Sequence, residues 1–188
     1  MLENAYPKEK ELIPDCVSLK SDIEKGISEF AVIEHEKYGR IYACEVNGKG
    51  DYFLFDDANV PSLLSAPYLG FCSTDDEIYR NTRKFILSKD NPYYYEGKFA
   101  KGVGSPHTPE GYIWHIALSM QGLTADNAEE MREILHYLET TDGGTGYMHE
   151  GFDANNPDVF TRSWFSWSCA LFAEFVEKAV DEGVIGND

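Results

Sequence analysis

The run Thr141-Asp-Gly-Gly-Thr-Gly-Tyr-Met-His-Glu-Gly-Phe-Asp153 interrupts two helix-like stretches, and it constrains the fold more than any other part of the chain. Asp142-Gly143-Gly144 and Gly146 supply backbone freedom that suits a loop and weakens a helix or strand interior. Before it lies an amphipathic stretch, and after it Phe160-Thr-Arg-Ser-Trp-Phe-Ser-Trp167 opens an aromatic-headed one. A His-Glu pair, His149-Glu150, therefore sits on a glycine-hinged loop between two helices. Carboxylate, imidazole, guanidinium and indole on rigid neighbours suit a sugar site. Aromatic faces stack on pyranose rings, and charged groups hold hydroxyls by charge-assisted hydrogen bonds. The same residues also fit an ordinary helix–helix connection over a buried aromatic cluster, and the stretch alone does not choose.

Composition narrows the classes. With 188 residues the chain is long enough for one domain with a real core, and no linker or repeat divides 1–188. A formal charge of −17, from 33 acidic against 16 basic residues, argues against nucleic acid, whose phosphates are met by Lys and Arg. It equally disfavours anionic membrane surfaces. Cys16, Cys44, Cys72 and Cys169 are widely spaced without a C-x-x-C, which points to reduced packing cysteines and a cytoplasmic protein. No apolar run approaches the ~20 residues of a membrane span.

Taken in order, residues 1–17 read as a loose lead-in. Leu19, Ile23, Ile27 and Phe30 then mark one face of a helix ending near Glu29. Arg40–Val46 and Asp51–Phe55 read as a hairpin across Asn47-Gly48-Lys49-Gly50, a small insertion at the edge of a helical body. Asn59 is expected to cap a short helix over 60–66, with Pro67 ending it. Thr74-Asp-Asp-Glu77 reads as a capping box opening a helix to about Leu87. A long loop over 88–110 follows, and loops of that length are usually functional or disordered. Helices are expected over 111–121, from Thr124 through a Met131, Ile134, Leu135, Leu138 stripe, and over about 160–182, the last apolar almost all round. The fold expected is mainly α, with loops carrying Asp57, His107 and Glu150 gathered at one mouth.

Several chemistries lack their residues. His149-Glu150 has no following histidine at zinc-protease spacing, the Gly143–Gly146 run lacks the Lys-Ser/Thr ending of a phosphate loop, and no G-x-S-x-G elbow is present. Five scattered histidines do not suggest a metal site, and no cofactor is indicated. Carboxylate chemistry remains. Glycoside hydrolysis with inversion places two carboxyl groups roughly 6.5–9.5 Å apart around the scissile bond. Glu150 is the candidate base. Asp56-Asp57 is the other conspicuous acidic pair near a loop–helix junction, although helix capping and first-turn charge account for it more readily.

Six segments then carry a resemblance. Asp56-Asp-Ala-Asn-Val-Pro-Ser-Leu-Leu-Ser-Ala-Pro-Tyr-Leu-Gly70, Tyr79-Arg-Asn-Thr-Arg83, Ser88-Lys-Asp-Asn-Pro-Tyr93, Gly104-Ser-Pro-His-Thr-Pro-Glu-Gly-Tyr-Ile-Trp114, Gly146-Tyr-Met-His-Glu-Gly-Phe152 and the Phe160–Trp167 segment resemble glycoside hydrolase family 125. The resemblance runs in order from about residue 19 to 180. It implies a metal-independent, inverting exo-α-1,6-mannosidase on an (α/α)6 toroid, acting on mannose-containing oligosaccharides. By the resemblance Glu150 corresponds to the general base, while Asp57, Asn59, His107, Trp114, His149, Arg162 and Trp164 are mannose contacts. The family's general acid lies upstream of the matched region, and about six helices are countable where a toroid has twelve. The chain is thus expected to represent the C-terminal half of the catalytic domain. A separate N-terminal half, or a second copy of the chain, is the implied partner. The other reading, from a different class, is an inactive carbohydrate-binding or assembly subunit that complements such a half.

Overall fold

The computed structural model describes residues 7–186. Five α-helices run in order: α1 Ile13–Gly26, α2 Glu77–Ile86, α3 His115–Leu123, α4 Ala128–Thr140 and α5 Ser166–Asp181. Nine short strands form four small sheets, so the architecture is mixed, with helices carrying the core. More strand is present than the single expected hairpin.

α3 organises the packing. Its residues, His-Ile-Ala-Leu-Ser-Met-Gln-Gly-Leu, carry no Asp, Glu, Lys or Arg, and a helix without a polar face has to be enclosed. Every residue from His115 to Gly122 is buried. One side of α3 joins a core of Ile113, Leu118, Met131, Ile134, Leu138, Phe152 and Phe175, shared with α4 and α5. Its other side joins Ile41, Phe85, Ile86, Val103, Trp114, Ile116, Met120 and Leu171. α5, expected to be apolar almost all round and buried at its start, buries only Ser168, Leu171, Phe175 and Ala179. They form a single stripe at helical spacing, while Trp167, Glu174, Glu177 and Asp181 face outward.

The strands are local. β1 (Val32–His35) pairs with β2 (Gly39–Tyr42), and β3 (Glu45–Val46) with β4 (Tyr52–Phe53). Arg40–Tyr42 therefore pairs with β1, and only the tip of the expected 40–55 hairpin forms across Asn47–Gly50. β5 (Tyr94–Glu96) and β6 (Lys101–Val103) fold the expected 88–110 loop into a hairpin. Its tyrosines are the reason: Tyr93 and Tyr94 pack against the core that contains Trp114. β7 (Tyr112–Ile113), β8 (Gly151–Asp153) and β9 (Asn156–Thr161) form the one three-stranded sheet among the described residues, with β8 central.

Helix boundaries also differ from expectation. The 1–17 lead-in is helical where described, as a 3-10 turn over Pro7–Leu12 leading into α1, with Pro14 in the first turn where its missing N–H costs nothing. α1 continues as a π turn over Ile27–Ala31. Asp76, not Thr74, caps α2 by accepting the Tyr79 N–H at 2.8 Å. Asn127, not Thr124, caps α4 by accepting the Glu130 N–H at 2.9 Å. Thr124 instead closes α3, its hydroxyl donating to the Met120 carbonyl. No helix forms over 60–66. The backbone there turns repeatedly, and the buried Asp56 carboxylate accepts the Leu63 and Leu64 N–H groups at 3.0 Å each. Asp56 thus takes the capping role expected of Asn59, and β9 occupies the residues expected to start α5.

Candidate functional site

Strand register builds the centre of the site. Gly151 stands opposite Thr161 where β8 meets β9, so the next residues outward, Glu150 and Arg162, are brought together. Arg162 Nε lies 3.1 Å from Glu150 Oε1. The Glu150 side chain is 16 % exposed and that of Arg162 61 %, so the carboxylate is recessed behind a guanidinium that reaches solvent. Arg162 has φ +54°, the left-handed region that costs an L-residue roughly 1–2 kcal/mol. Here the chain leaves β9 and turns towards α5, and the guanidinium lies 5.1 Å over the Phe165 ring.

The loop before Glu150 is held from several sides. The Asp142 carboxylate accepts the Gly144 and Gly146 N–H groups at 2.9 Å each, with both glycines at positive φ. His149 is fully buried and stacks on Phe160, centroids 3.8 Å apart and planes at 2°. Its Nδ1 faces the Arg162 carbonyl at 3.1 Å and its Nε2 the Asp142 carbonyl at 2.9 Å. The His149 carbonyl accepts the Ser168 hydroxyl of α5 at 2.8 Å, and its N–H donates to His115 Nδ1 at 2.7 Å. Burial is also the largest influence on His115, holding its imidazole down at about 3, with the adjacent His149 acting in the same direction.

The other expected contacts divide by burial. Trp114 is 3 % exposed, and its indole N–H donates to Thr108 Oγ1 at 2.9 Å. It packs so closely behind β8 that a Cβ on Gly151 would come within 2.9 Å of the ring. Trp114 and His149, expected as mannose contacts, are enclosed behind the loop and present no open face. Phe160 of β9 covers the His149 ring, and Trp114 lies against Gly151 of β8. Trp164 is 59 % exposed, and His107 is exposed on the loop whose Thr108 meets Trp114. Asp57 and Asn59 are half-buried and tied together, with Asp57 Oδ1 accepting the Asn59 N–H at 2.8 Å and its side-chain amide at 3.1 Å. Their segment joins the rest where the Ala58 N–H donates to the Gly104 carbonyl at 3.0 Å. Backbone and side-chain bonds thus connect the segments carrying Asp57, His107 and Glu150.

Sequence reasoning missed two residues. His115 carried no motif, yet it touches the His149 backbone from within α3. Tyr147 is a second exposed aromatic, 52 % exposed on the Glu150 loop. Asp56, next to Asp57 in the chain, is almost completely buried, and burial above all pushes its carboxyl up to about 7. Among the described residues no three His, Cys, Asp or Glu side chains converge as metal ligands.

Comparison with known proteins places the chain in a family. Residues 1–177 match a family model described as metal-independent alpha-mannosidase (GH125). The Meiotically up-regulated gene 157 protein of Schizosaccharomyces pombe is 48 % identical over 155 residues, covering 82 % of this chain and 30 % of that protein. A solved Streptococcus pneumoniae structure is described as a non-productive substrate complex with alpha-1,6-mannobiose, from a family of metal-independent alpha mannosidases. It superposes with a TM-score of 0.90 at 47 % identity, covering 96 % of this chain and 42 % of that one. The chain thus spans less than half the length of either relative. On both the match along its length and the shared fold, the chain belongs to glycoside hydrolase family 125, the metal-independent alpha-mannosidases.

Proposed function

We propose that the chain carries the general-base side of an inverting exo-α-1,6-mannosidase site. The observation that carries this reading is the Glu150–Arg162 pair at the mouth of a tightly held loop, in a chain of this family. Arg162 occupies Oε1 of Glu150, leaving Oε2 to take the proton from a water that attacks the anomeric carbon. The outer nitrogens of the exposed guanidinium, with the faces of Trp164 and Tyr147, suit sugar hydroxyls and ring faces. Asp57, Asn59 and His107 are proposed as further mannose contacts. The streptococcal complex with alpha-1,6-mannobiose supports a mannoside as ligand. The general acid is proposed to come from outside the residues matched here, and the five helices to form part of an (α/α)6 toroid. The four unpaired cysteines support a cytoplasmic setting.

An assembly role for the chain by itself is favoured by one observation: α1 buries none of its residues, although Leu19 and Ile23 lie along one face of it. A complementary helical segment, or a second copy, is the proposed partner for that face.

Glu150→Gln tests the main reading. The amide keeps shape and hydrogen bonding but accepts no proton from water, and general-base catalysis is worth about 10²–10⁴-fold. Hydrolysis of an α-1,6-mannobioside, measured with chelator present, should fall by that factor while mannobioside binding persists. Full turnover by the Gln variant would remove Glu150 from its role. The chain alone should hydrolyse little, because an unprotonated leaving group departs poorly. Strong activity in the isolated chain would point to Asp57 as the acid.

A further inference from the structure

We propose that His115 is a positioning residue for Glu150, acting through the backbone of the preceding residue, His149. The proposal rests on the reading of Glu150 as general base. His115 sits at the first turn of α3, fully buried, and both ring nitrogens are engaged. Nδ1 accepts the His149 N–H at 2.7 Å, and Nε2 faces Thr141 Oγ1 at 3.0 Å. The Thr141 hydroxyl has a single proton, which it donates to the Tyr137 carbonyl at the end of α4 at 2.6 Å. Thr141 Oγ1 must therefore accept from His115, so Nε2 carries the ring proton and Nδ1 is left as the acceptor. One tautomer satisfies every group in the chain of bonds.

The consequence is directional. The two peptides flanking His149 are each held: the one from Met148 at the His149 N–H by α3, through His115, and the one to Glu150 at the His149 carbonyl by α5, through Ser168. Those two helices and α4 share one core, so the clamp is anchored in the most enclosed part of the molecule. Glu150 is the next residue along. Rotating the preceding peptide by a few tens of degrees would swing its carboxylate away from the attacking water, and a misplacement of about 1 Å is enough to cost ~10²-fold in rate. Phe152 stacks on the His115 ring, centroids 4.7 Å apart, which holds the plane of the imidazole.

Two polar substitutions separate positioning from mere packing. In His115→Asn, Oδ1 falls where Nδ1 stood and can still accept the His149 N–H, while the Thr141 contact is lost. In His115→Gln, the amide reaches towards Thr141 and leaves no acceptor for His149. In the mannoside-hydrolysing protein, Gln should lower kcat by about 10²-fold with KM changed by no more than about twofold, and Asn should retain most of kcat. On the chain itself, whether or not it turns over, the Arg162 Nε–H resonance reports the Glu150 contact. It should shift in Gln and stay near the wild-type position in Asn. Equal kcat and unmoved resonances in folded Gln and wild type would overturn the proposal, as would an Asn variant as impaired as Gln. A Glu150→Gln control keeps the two readings apart: if it is inactive while His115→Gln is fully active, only the positioning role falls.

Discussion

Arg162 meets the Glu150 carboxylate across 3.1 Å from a backbone that is itself held in the left-handed region. Position and strain have one origin, since β9 delivers residue 162 beside residue 150 and the chain must then turn sharply to start α5. An arginine at positive φ is an expensive choice when glycine fits without cost, so the side chain is what the position needs.

Replacing Arg162 with Gly and with Ala separates these contributions. Both remove the guanidinium and leave the recessed Glu150 carboxylate without it, a cost common to the two variants. Gly alone relaxes the φ of +54°, so Arg162→Gly should be more stable than Arg162→Ala by about 1 kcal/mol. Both should weaken mannoside binding equally. Chemical denaturation and calorimetric titration read the two effects, and equal stabilities would mean the turn adapts to a Cβ freely.

Gly122 is a test of packing against propensity. Alanine in a helix is favoured over glycine by about 1 kcal/mol. A Cβ at 122, however, would stand 2.2 Å from the Phe175 ring, where α3 crosses α5 in the core. Overpacking of that kind typically costs about 1–3 kcal/mol beyond any propensity gain. Gly122→Ala should therefore lower the thermal midpoint, and a rise would show that Phe175 has room to withdraw.

How far the sequence revealed this molecule depended on whether a feature was periodic or long-range. The α4 stripe was legible because Met131, Ile134 and Leu138 repeat at helical spacing, and they are the buried ones. The His149-Glu150 loop was legible from its glycines. The Val60–Ala66 segment reads as a helix in sequence, but its order comes from Asp56, a carboxylate whose bonds to Leu63 and Leu64 leave no periodic trace. The tyrosine hairpin reads as a loop because two three-residue strands are too short for alternation to show. His115 was invisible for a related reason. A buried histidine in an apolar helix reads as packing, and only tertiary structure reveals that its acceptor faces a backbone N–H 34 residues away.

Two buried groups should leave opposite marks on the pH dependence of stability. Asp56 rises from an ordinary 3.8 to about 7, so its protonated form is favoured by folding. Its contribution is complete below about pH 4 and is lost as pH climbs through 7. His115 falls from 6.5 to about 3, so folding favours the neutral ring. That contribution is present above about pH 6.5 and is lost as pH drops through 3. Between pH 4 and 6.5 the two slopes oppose each other. Relative to wild type, Asp56→Asn should therefore gain stability steadily as pH rises from 4 to 7. His115→Gln should lose more at pH 7 than at pH 4. Thermal midpoints across that range check both signs, and a pH-independent difference for either variant would contradict its assignment.

The last prediction concerns the face of α1. Leu19, Ile23 and Phe30 are 61, 53 and 41 % exposed, and with Ile27 they follow one another at helical spacing. Close by, Ile27, Tyr42, Leu63, Ala66 and Phe71 line an apolar cavity of about 330 Å³. A continuous apolar surface of this kind marks an interface or an aggregation liability. The net charge of −17 opposes self-association through long-range repulsion, but salt shortens the range of that repulsion to about 10 Å at 0.1 M. Association of the isolated chain, followed by light scattering, should therefore increase with ionic strength, and an apolar dye should bind even at low salt. Ile23→Lys should reduce both. It should change stability by no more than about 0.5 kcal/mol, because the side chain it replaces is already in water. A chain that stays monomeric and dye-free at every salt concentration would mean that this face needs no partner.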